Sequence, residues 1–242
     1  ITKVLYKYLS NGIIVNAGSI KNHLIKEFRI TPDKIEVIHN GIAFNRTSVE
    51  KKKSKEAGDS ITAGFIGRFH PIKGFSILID AAKNVIKEYP DIVFLVIGDG
   101  RESNDLKSKI NNFGIMKNFQ FVGNQKDVQS YISKMDFVIL PSKSEGLPNI
   151  VLEAMVCKKP VVATCVGGVP EVVIDGETGI IIEPGDVNAL SDSIKKLIDN
   201  EDIRKKMGFA AFKRVKEHFS IDKMMEQHSK YYLGKSTWRI ND

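Results

Sequence analysis

Cysteine is scarce in this chain of 242 residues. Cys157 and Cys165 are the whole supply, too few to staple a secreted scaffold and without the paired spacing of a zinc site. Reduced thiols and a cytoplasmic location are the expectation. No run approaches the roughly 18 consecutive apolar residues of a membrane span. The opening segment ITKVLYKYLS has neither the apolar block nor the small-residue cleavage site of a signal peptide. Aromatics make up 8% of the chain, and neither a basic strand interleaved with them nor a recognition helix appears, which speaks against a nucleic-acid partner. No internal repeat of fixed period is visible.

What is present is a globular composition, 42% hydrophobic and 27% charged. A chain of this length removes roughly 70% of its unfolded surface from water, so neither disulfides nor a structural metal is required. The net charge of +7 is unevenly placed: residues 1 to 60 hold 11 Lys+Arg against 6 Asp+Glu, and the remainder 25 against 23. Lys51, Lys52, Lys53 and Lys55 supply most of the excess and read as a solvated linker.

There is no initiator Met, and residues 1 to 42 read as the tail of a domain, so the chain is expected to be part of something larger. An apolar stripe (Val4, Leu5, Tyr8, Leu9) precedes a strand over 12 to 16, a helix over 19 to 28 and a strand over 34 to 38, followed by the turn pair Asn40-Gly41. From Ile61 short apolar runs alternate with amphipathic segments. Strands are predicted at 61–67, 92–98, 119–123, 136–141, 160–164 and 179–183, with helices at 74–88, 101–113, 126–134, 147–157 and 168–174 between them. Near-continuous Val/Ile/Leu strands separated by helices predict an α/β fold, a Rossmann-like doubly wound parallel sheet. Helices at 186–199, 201–218 and 221–233 close the chain. The expected division is a remnant of an N-terminal domain (1–45), a linker (46–60), a nucleotide-binding α/β domain (61–218), and a crossover helix and tail (219–242).

Ligands of such sheets bind beyond the carboxyl ends of the strands, so the loops there carry the chemistry. Gly98-Asp99-Gly100 fails the dinucleotide fingerprint, because Ser103 stands where the third glycine belongs, and reads as a turn. Gly234-Lys235-Ser236 reads as a frayed tail rather than a phosphate loop. Arg68 and Lys73 flank the loop that follows the first strand of the α/β domain. A diphosphate placed there receives two cations, with Gly67 and Gly74 permitting close backbone approach. His70, between them, reads as a loop histidine without chemistry.

The densest constellation is EGLPNIVLE, Glu145 to Glu153. Pro148 suits the first turn of a helix, so free N–H groups near Gly146, Leu147 and Asn149 form an anion site. Glu153 then lies about 6 to 8 Å along the axis, within reach of both ribose hydroxyls, while Glu145 meets the sugar beyond the diphosphate. An acid in the apolar stretch IVLEAMV needs a partner or a ligand.

At these residues the chain resembles the bacterial group-1 family of retaining nucleotide-sugar glycosyltransferases, whose architecture is the two-Rossmann GT-B fold. Glu145 and Glu153 match its Glu-x7-Glu pattern, and GRFHPIKG (67–74) its Gly-Arg-x-x-x-x-Lys-Gly signature. VIHNGI (37–42), VIGDG, FVG, ILPSKSEGLPNIVLEAM and PVVATCVGGVPEVV match further blocks. The resemblance implies that Arg68 and Lys73 contact the donor's diphosphate and Glu153 its ribose. Glu145, Gly146, Leu147, Pro148 and Asn149 would meet sugar and phosphates, with Gly123 and Asn124 near the base. It implies sugar transfer from a nucleoside diphosphate sugar, UDP favoured, to an acceptor hydroxyl with retention, in the synthesis of cell-surface polysaccharide, lipopolysaccharide or glycolipid.

Within that reaction Glu145, Arg68 and Lys73 are the catalytic candidates, with Glu145 orienting the donor rather than acting as nucleophile. No cofactor and no metal are expected; the chain has no Asp-x-Asp triplet of the kind metal-dependent transferases of the other main fold use. The expected partners are the nucleotide sugar, a glycan or lipid-linked acceptor, and peripherally the cytoplasmic face of the inner membrane. The departure is at the front: the family's glycine-rich loop and the acceptor-binding part of its N-terminal domain have no counterpart here, so weak or absent turnover is expected of the chain alone. A nucleotide-sugar epimerase of the same architecture and a non-catalytic nucleotide-binding module are the alternative readings. The final helix, with Ile221, Met224, Met225, His228 and Tyr231 at helical spacing, resembles the family's crossover helix, and Met225 and Tyr231 read as core residues.

Overall fold

Val, Ile and Phe in uninterrupted runs favour the extended backbone, and a run buried on both faces belongs inside a parallel sheet. A computed structural model, which describes residues 10–44 and 60–235, places six such runs side by side. They are β3 (Thr62–Ile66), β4 (Val93–Ile97), β5 (Phe119–Phe121), β6 (Phe137–Leu140), β7 (Val161–Thr164) and β8 (Gly179–Ile182). All neighbouring pairs are parallel, in the order β5-β4-β3-β6-β7-β8. The chain moves outward from β3 to β5, then returns to β6 on the other side of β3. That reversal leaves a crevice between the carboxyl ends of β3 and β6.

Helices cover both faces. On one lie α2 (Phe75–Ile86), α3 (Ser103–Asn112) and α7 (Val187–Asp199), whose Leu78, Ile79, Ile110, Leu190 and Ile194 bury against Phe65, Phe94 and Ile139 of the sheet. On the other lie α4 (Val128–Lys134), α5 (Asn149–Val156), the single turn α6 (Val169–Val172) and α8 (Glu201–His218). Their Ile132, Val151, Met155, Val172, Ala211 and Val215 pack with Leu95, Val138 and Val161. Each fully buried Val, Leu, Ile, Phe or Met side chain among these contributes about 1.5–3 kcal/mol relative to exposure.

A smaller βαβ unit precedes the sheet: β1 (Ile13–Val15) and β2 (Ile35–Val37) pair in parallel around α1 (Gly18–Phe28). It is joined to the larger part by a bridge between Ile42 and Ser220, at the start of α9 (Ile221–Lys235). Met224 accepts a hydrogen bond from the Gly41 N–H at its sulfur (3.1 Å), and the Tyr231 hydroxyl lies over Gly12.

Several expectations change. The helix expected from 147 starts at Asn149, with Pro148 as an extended N-cap (φ −77°, ψ 111°) rather than in the first turn. The strand expected to reach 123 ends at Phe121, because Gly123 turns the chain at φ 66°. Met225 is 57% exposed: it sits one residue round the helix from Met224, off the face that touches residues 12 and 41. Gly234 lies in the last turn of α9 rather than in a frayed tail; Ser236 falls outside the described residues, as do Val4, Leu5, Tyr8 and Leu9 and nearly all of the 46–60 stretch.

Candidate functional site

The crevice is assembled from loops that follow β3, β4, β6 and β7, and backbone hydrogen bonds join them. The Lys143 N–H donates to the Ile72 carbonyl (2.7 Å), tying the loop after β6 to the loop after β3. The Gly168 N–H donates to Gly146 (2.7 Å), tying the loop after β7 to the same segment, and the Gly98 N–H donates to Gly123 (2.9 Å) on the other side of β3. Gly74 sits in the left-handed region (φ 68°), and a Cβ there would lie 1.8 Å from the Pro141 carbonyl oxygen, so only glycine allows these two loops to approach as they do.

This closure brings Lys73 to Glu145. Lys73 Nζ is 2.7 Å from Glu145 Oε1, and the Ser142 hydroxyl donates to the same oxygen at 2.6 Å. Ser142 is buried, and its carbonyl accepts from Thr164 Oγ1 (2.5 Å) on β7, so Glu145 is held by a chain of bonds rooted in the sheet. The Glu145 side chain is 9% exposed and that of Lys73 29%, so the carboxylate is the more enclosed partner of the pair. Arg68 is exposed; its carbonyl accepts from the His70 N–H (2.8 Å), but its guanidinium makes no hydrogen bond or ion pair among the described residues. The Lys73 stem passes Gly67, where a Cβ would stand 3.8 Å from Lys73 Cγ. His70 has a structural use: its Nδ1 accepts from the Ile72 N–H (3.3 Å) and caps the single turn Pro71–Lys73.

On α5 the first amides have no side-chain cap. Gly146, Leu147, Asn149 and Ile150 donate no backbone hydrogen bond among the described residues, so this end of the helix carries free N–H groups and partial positive charge. The Leu147 side chain is in the core, which leaves only its backbone for a ligand. The Asn149 amide oxygen accepts from Asn40 Nδ2 (2.7 Å), linking α5 to the turn after β2. Glu153, the fifth residue of α5, lies about 6 Å along the axis from Asn149. It is half-buried, its carboxylate has no partner among the described residues, and burial raises its pKa. Gly123 and Asn124 are exposed at the end of β5, next to Gly98 rather than beside Glu145. Among the described residues no group of three or more His, Cys, Asp or Glu side chains is placed to hold a metal ion.

Sequence reasoning missed Ser142, Thr164 and Glu171. Glu171, on α6, accepts from the Gly18 N–H (2.9 Å), the Ser19 N–H (3.2 Å) and the His39 ring (2.8 Å), and so caps α1 from across the molecule. Ser142, three residues before Glu145, offered a local hint; the partners of Glu171 lie more than 130 residues away and left none.

The glycosyl transferases group 1 family model matches residues 47–214. An uncharacterized glycosyltransferase of Methanocaldococcus jannaschii, MJ1178, is 36% identical over 238 residues, covering 95% of this chain and 62% of that protein. The capsular polysaccharide biosynthesis glycosyltransferase CapM of Staphylococcus aureus is 29% identical, covering 93% and 62%. The chain thus spans about 60% of the length of these curated relatives. Among solved structures, Anabaena HepE in complex with UDP superposes with a TM-score of 0.84 at 23% identity, over 93% of this chain and 64% of that one. The C-terminal domain of a group 1 family protein, LpcC, from Francisella tularensis superposes at 0.63 with 31% identity, over 66% and 87%. The parallel sheet is that of the GT-B glycosyltransferases. Motifs, sheet topology and family match agree, and the chain belongs to the group 1 glycosyltransferases.

Proposed function

We propose that residues 61–218 bind the donor of a glycosyltransferase that moves a sugar from a nucleoside diphosphate, UDP in preference to GDP, to an acceptor hydroxyl with retention of configuration. The observation that carries this reading is the Lys73–Glu145 pair set at the mouth of the β3/β6 crevice, with Arg68 unpaired on the same loop. Arg68 and Lys73 take the diphosphate, the free amides at the start of α5 add positive potential, and Glu153 takes the ribose hydroxyls. Gly123 and Asn124 border the base. As the glycosidic bond breaks, negative charge grows on the β-phosphate, and these fixed cations and dipoles stabilise it without a metal ion. Glu145, held by Lys73 and Ser142, orients the sugar.

Residues 1–45 then end an acceptor-side domain, 46–60 link the two, and 219–242 cross back to the first. The acceptor is a glycan or a lipid-linked glycan in surface polysaccharide or lipopolysaccharide synthesis, and the site of action is the cytoplasm or its membrane face. Among the described residues no helix is long and apolar enough to cross a membrane. Relatives named for capsular polysaccharide and lipopolysaccharide core biosynthesis support the acceptor class.

Calorimetric titration of UDP, GDP, UDP-glucose and single-stranded RNA tests the reading. UDP and UDP-glucose bind, Arg68→Ala and Glu153→Ala each weaken them about tenfold, and EDTA leaves the affinity unchanged. Turnover by the chain alone is weak beside that of a longer protein carrying the acceptor side. RNA binding that survives both substitutions, with no nucleotide binding, overturns the reading. Release of free sugar epimer from a UDP-sugar without acceptor favours the epimerase.

A further inference from the structure

A cleft of about 450 Å³ opens between α1 and the loops that follow β6 and β7, with Ser19, His23, Lys143, Ser144 and Glu145 in its lining. Its one carboxylate, Glu145, is already neutralised by Lys73 through Oε1. Facing it are groups that donate. Lys143 is exposed, its backbone fixed by the bond to Ile72, and its ammonium has no partner among the described residues. The His23 ring touches Phe28 edge-on (5.9 Å) and makes no hydrogen bond. Ser19 Oγ is buried and without a partner, an orphan hydroxyl of the kind that native structures leave only where something else completes it. The cleft therefore presents one lasting uncompensated charge, positive, together with two hydroxyls and an imidazole, beside the carboxylate assigned to the sugar.

We propose that this cleft is an oxyanion subsite that recognises a carboxylate carried next to the transferred sugar, with Lys143 as its charged anchor and Ser19 and His23 as supporting donors. The proposal rests on the donor reading above, because it is the sugar held at Glu145 that would place the carboxylate here. A carboxylate accepts up to about four hydrogen bonds and matches a donor set of this size, whereas a neutral hydroxyl accepts from the ammonium but leaves its charge uncompensated. The carboxylate can belong to the donor sugar, as in a uronic acid, or to the acceptor.

Two titrations separate these sources. In the first, UDP-glucuronate and UDP-glucose are compared on the native chain, Lys143→Gln, Lys143→Arg and Ser19→Ala. In the second, D-glycerate and glycerol are titrated into the UDP-saturated protein. A donor carboxylate gives UDP-glucuronate an affinity about fivefold above UDP-glucose. Lys143→Gln abolishes that preference, Lys143→Arg keeps it, and UDP itself binds unchanged. An acceptor carboxylate gives glycerate binding with the same dependence on Lys143, and silence with glycerol. UDP binding with no preference in either titration, or a preference indifferent to Lys143→Gln, overturns the subsite and leaves the donor reading standing. Loss of UDP binding in the native chain overturns the donor reading, and the subsite with it.

Discussion

Lys73 Nζ lies 2.7 Å from Glu145 Oε1, and the two residues belong to loops that follow adjacent strands, β3 and β6, 72 residues apart in the chain. In the donor site proposed above, the pair would serve both ends of the ligand, the cation the diphosphate and the anion the sugar. Lys73→Ala therefore lowers affinity for UDP and UDP-glucose alike, roughly tenfold. Glu145→Gln leaves UDP within about twofold of native and weakens only UDP-glucose, the difference appearing in paired calorimetric titrations. Because the Glu145 side chain is 9% exposed, the Gln variant also loses about 1–2 kcal/mol of stability, measurable by urea unfolding.

Glu153 carries the opposite balance. Burial raises its pKa, so the folded state holds the proton more tightly than the unfolded chain does. The sign follows from that difference: between the ordinary carboxylate range and the raised folded value, stability falls as pH rises, and above it the penalty for the charged form is fully expressed. Glu153→Gln removes the penalty, so it raises the unfolding midpoint at neutral pH and flattens its fall above the acid range, while uridine and UDP bind more weakly. Thermal scans from pH 4 to 8 beside a uridine titration check both halves; a variant that is less stable at neutral pH contradicts the assignment.

At Glu171 the pH dependence has the other sign. Burial pushes the carboxyl up, but the Gly18 N–H, His39 and the Ser19 N–H together pull it below the ordinary carboxylate value. Its contribution is thus present above the unfolded carboxylate range and lost as pH falls through the lowered folded value. Glu171→Ala removes the cap of α1 and costs about 1–2 kcal/mol. Hydrogen-exchange protection over residues 18–28, taken relative to the intrinsic rate at each pH, falls in the variant at pH 7 and in the native chain only in acid.

The strands were legible because burial on both faces imposes continuous Val/Ile/Leu runs; five of the six in the large sheet lie within one residue of their predicted limits, and β5 stops two early at the Gly123 turn. Arg68, Lys73, Glu145 and Glu153 could be named because sheet topology sends the residues after each strand to one rim. Two kinds of fact were out of reach. Pairings such as Glu171 with Gly18, 153 residues apart, follow from tertiary closure and leave no local period. Helical spacing placed Met224 and Met225 together without revealing that only Met224 meets the Gly41 amide.

Gly74 joins fold and site most directly. Its left-handed backbone (φ 68°) lets α2 begin beneath the loop after β6, with the Pro141 carbonyl oxygen where a Cβ would stand, at 1.8 Å. Gly74→Ala brings the strain of a side chain in that region and a clash with backbone that cannot rotate away, together about 3 kcal/mol. In a chain of this size that lowers the unfolding midpoint by roughly 6–12 °C. Relief comes from moving the loop of Lys73 away from the loop of Glu145, so UDP-glucose affinity drops further than that of Lys73→Ala alone. A Gly74→Ala protein with native thermal midpoint and native donor affinity would show that the two loops hold their places independently, and that the Lys73–Glu145 contact does not depend on this glycine.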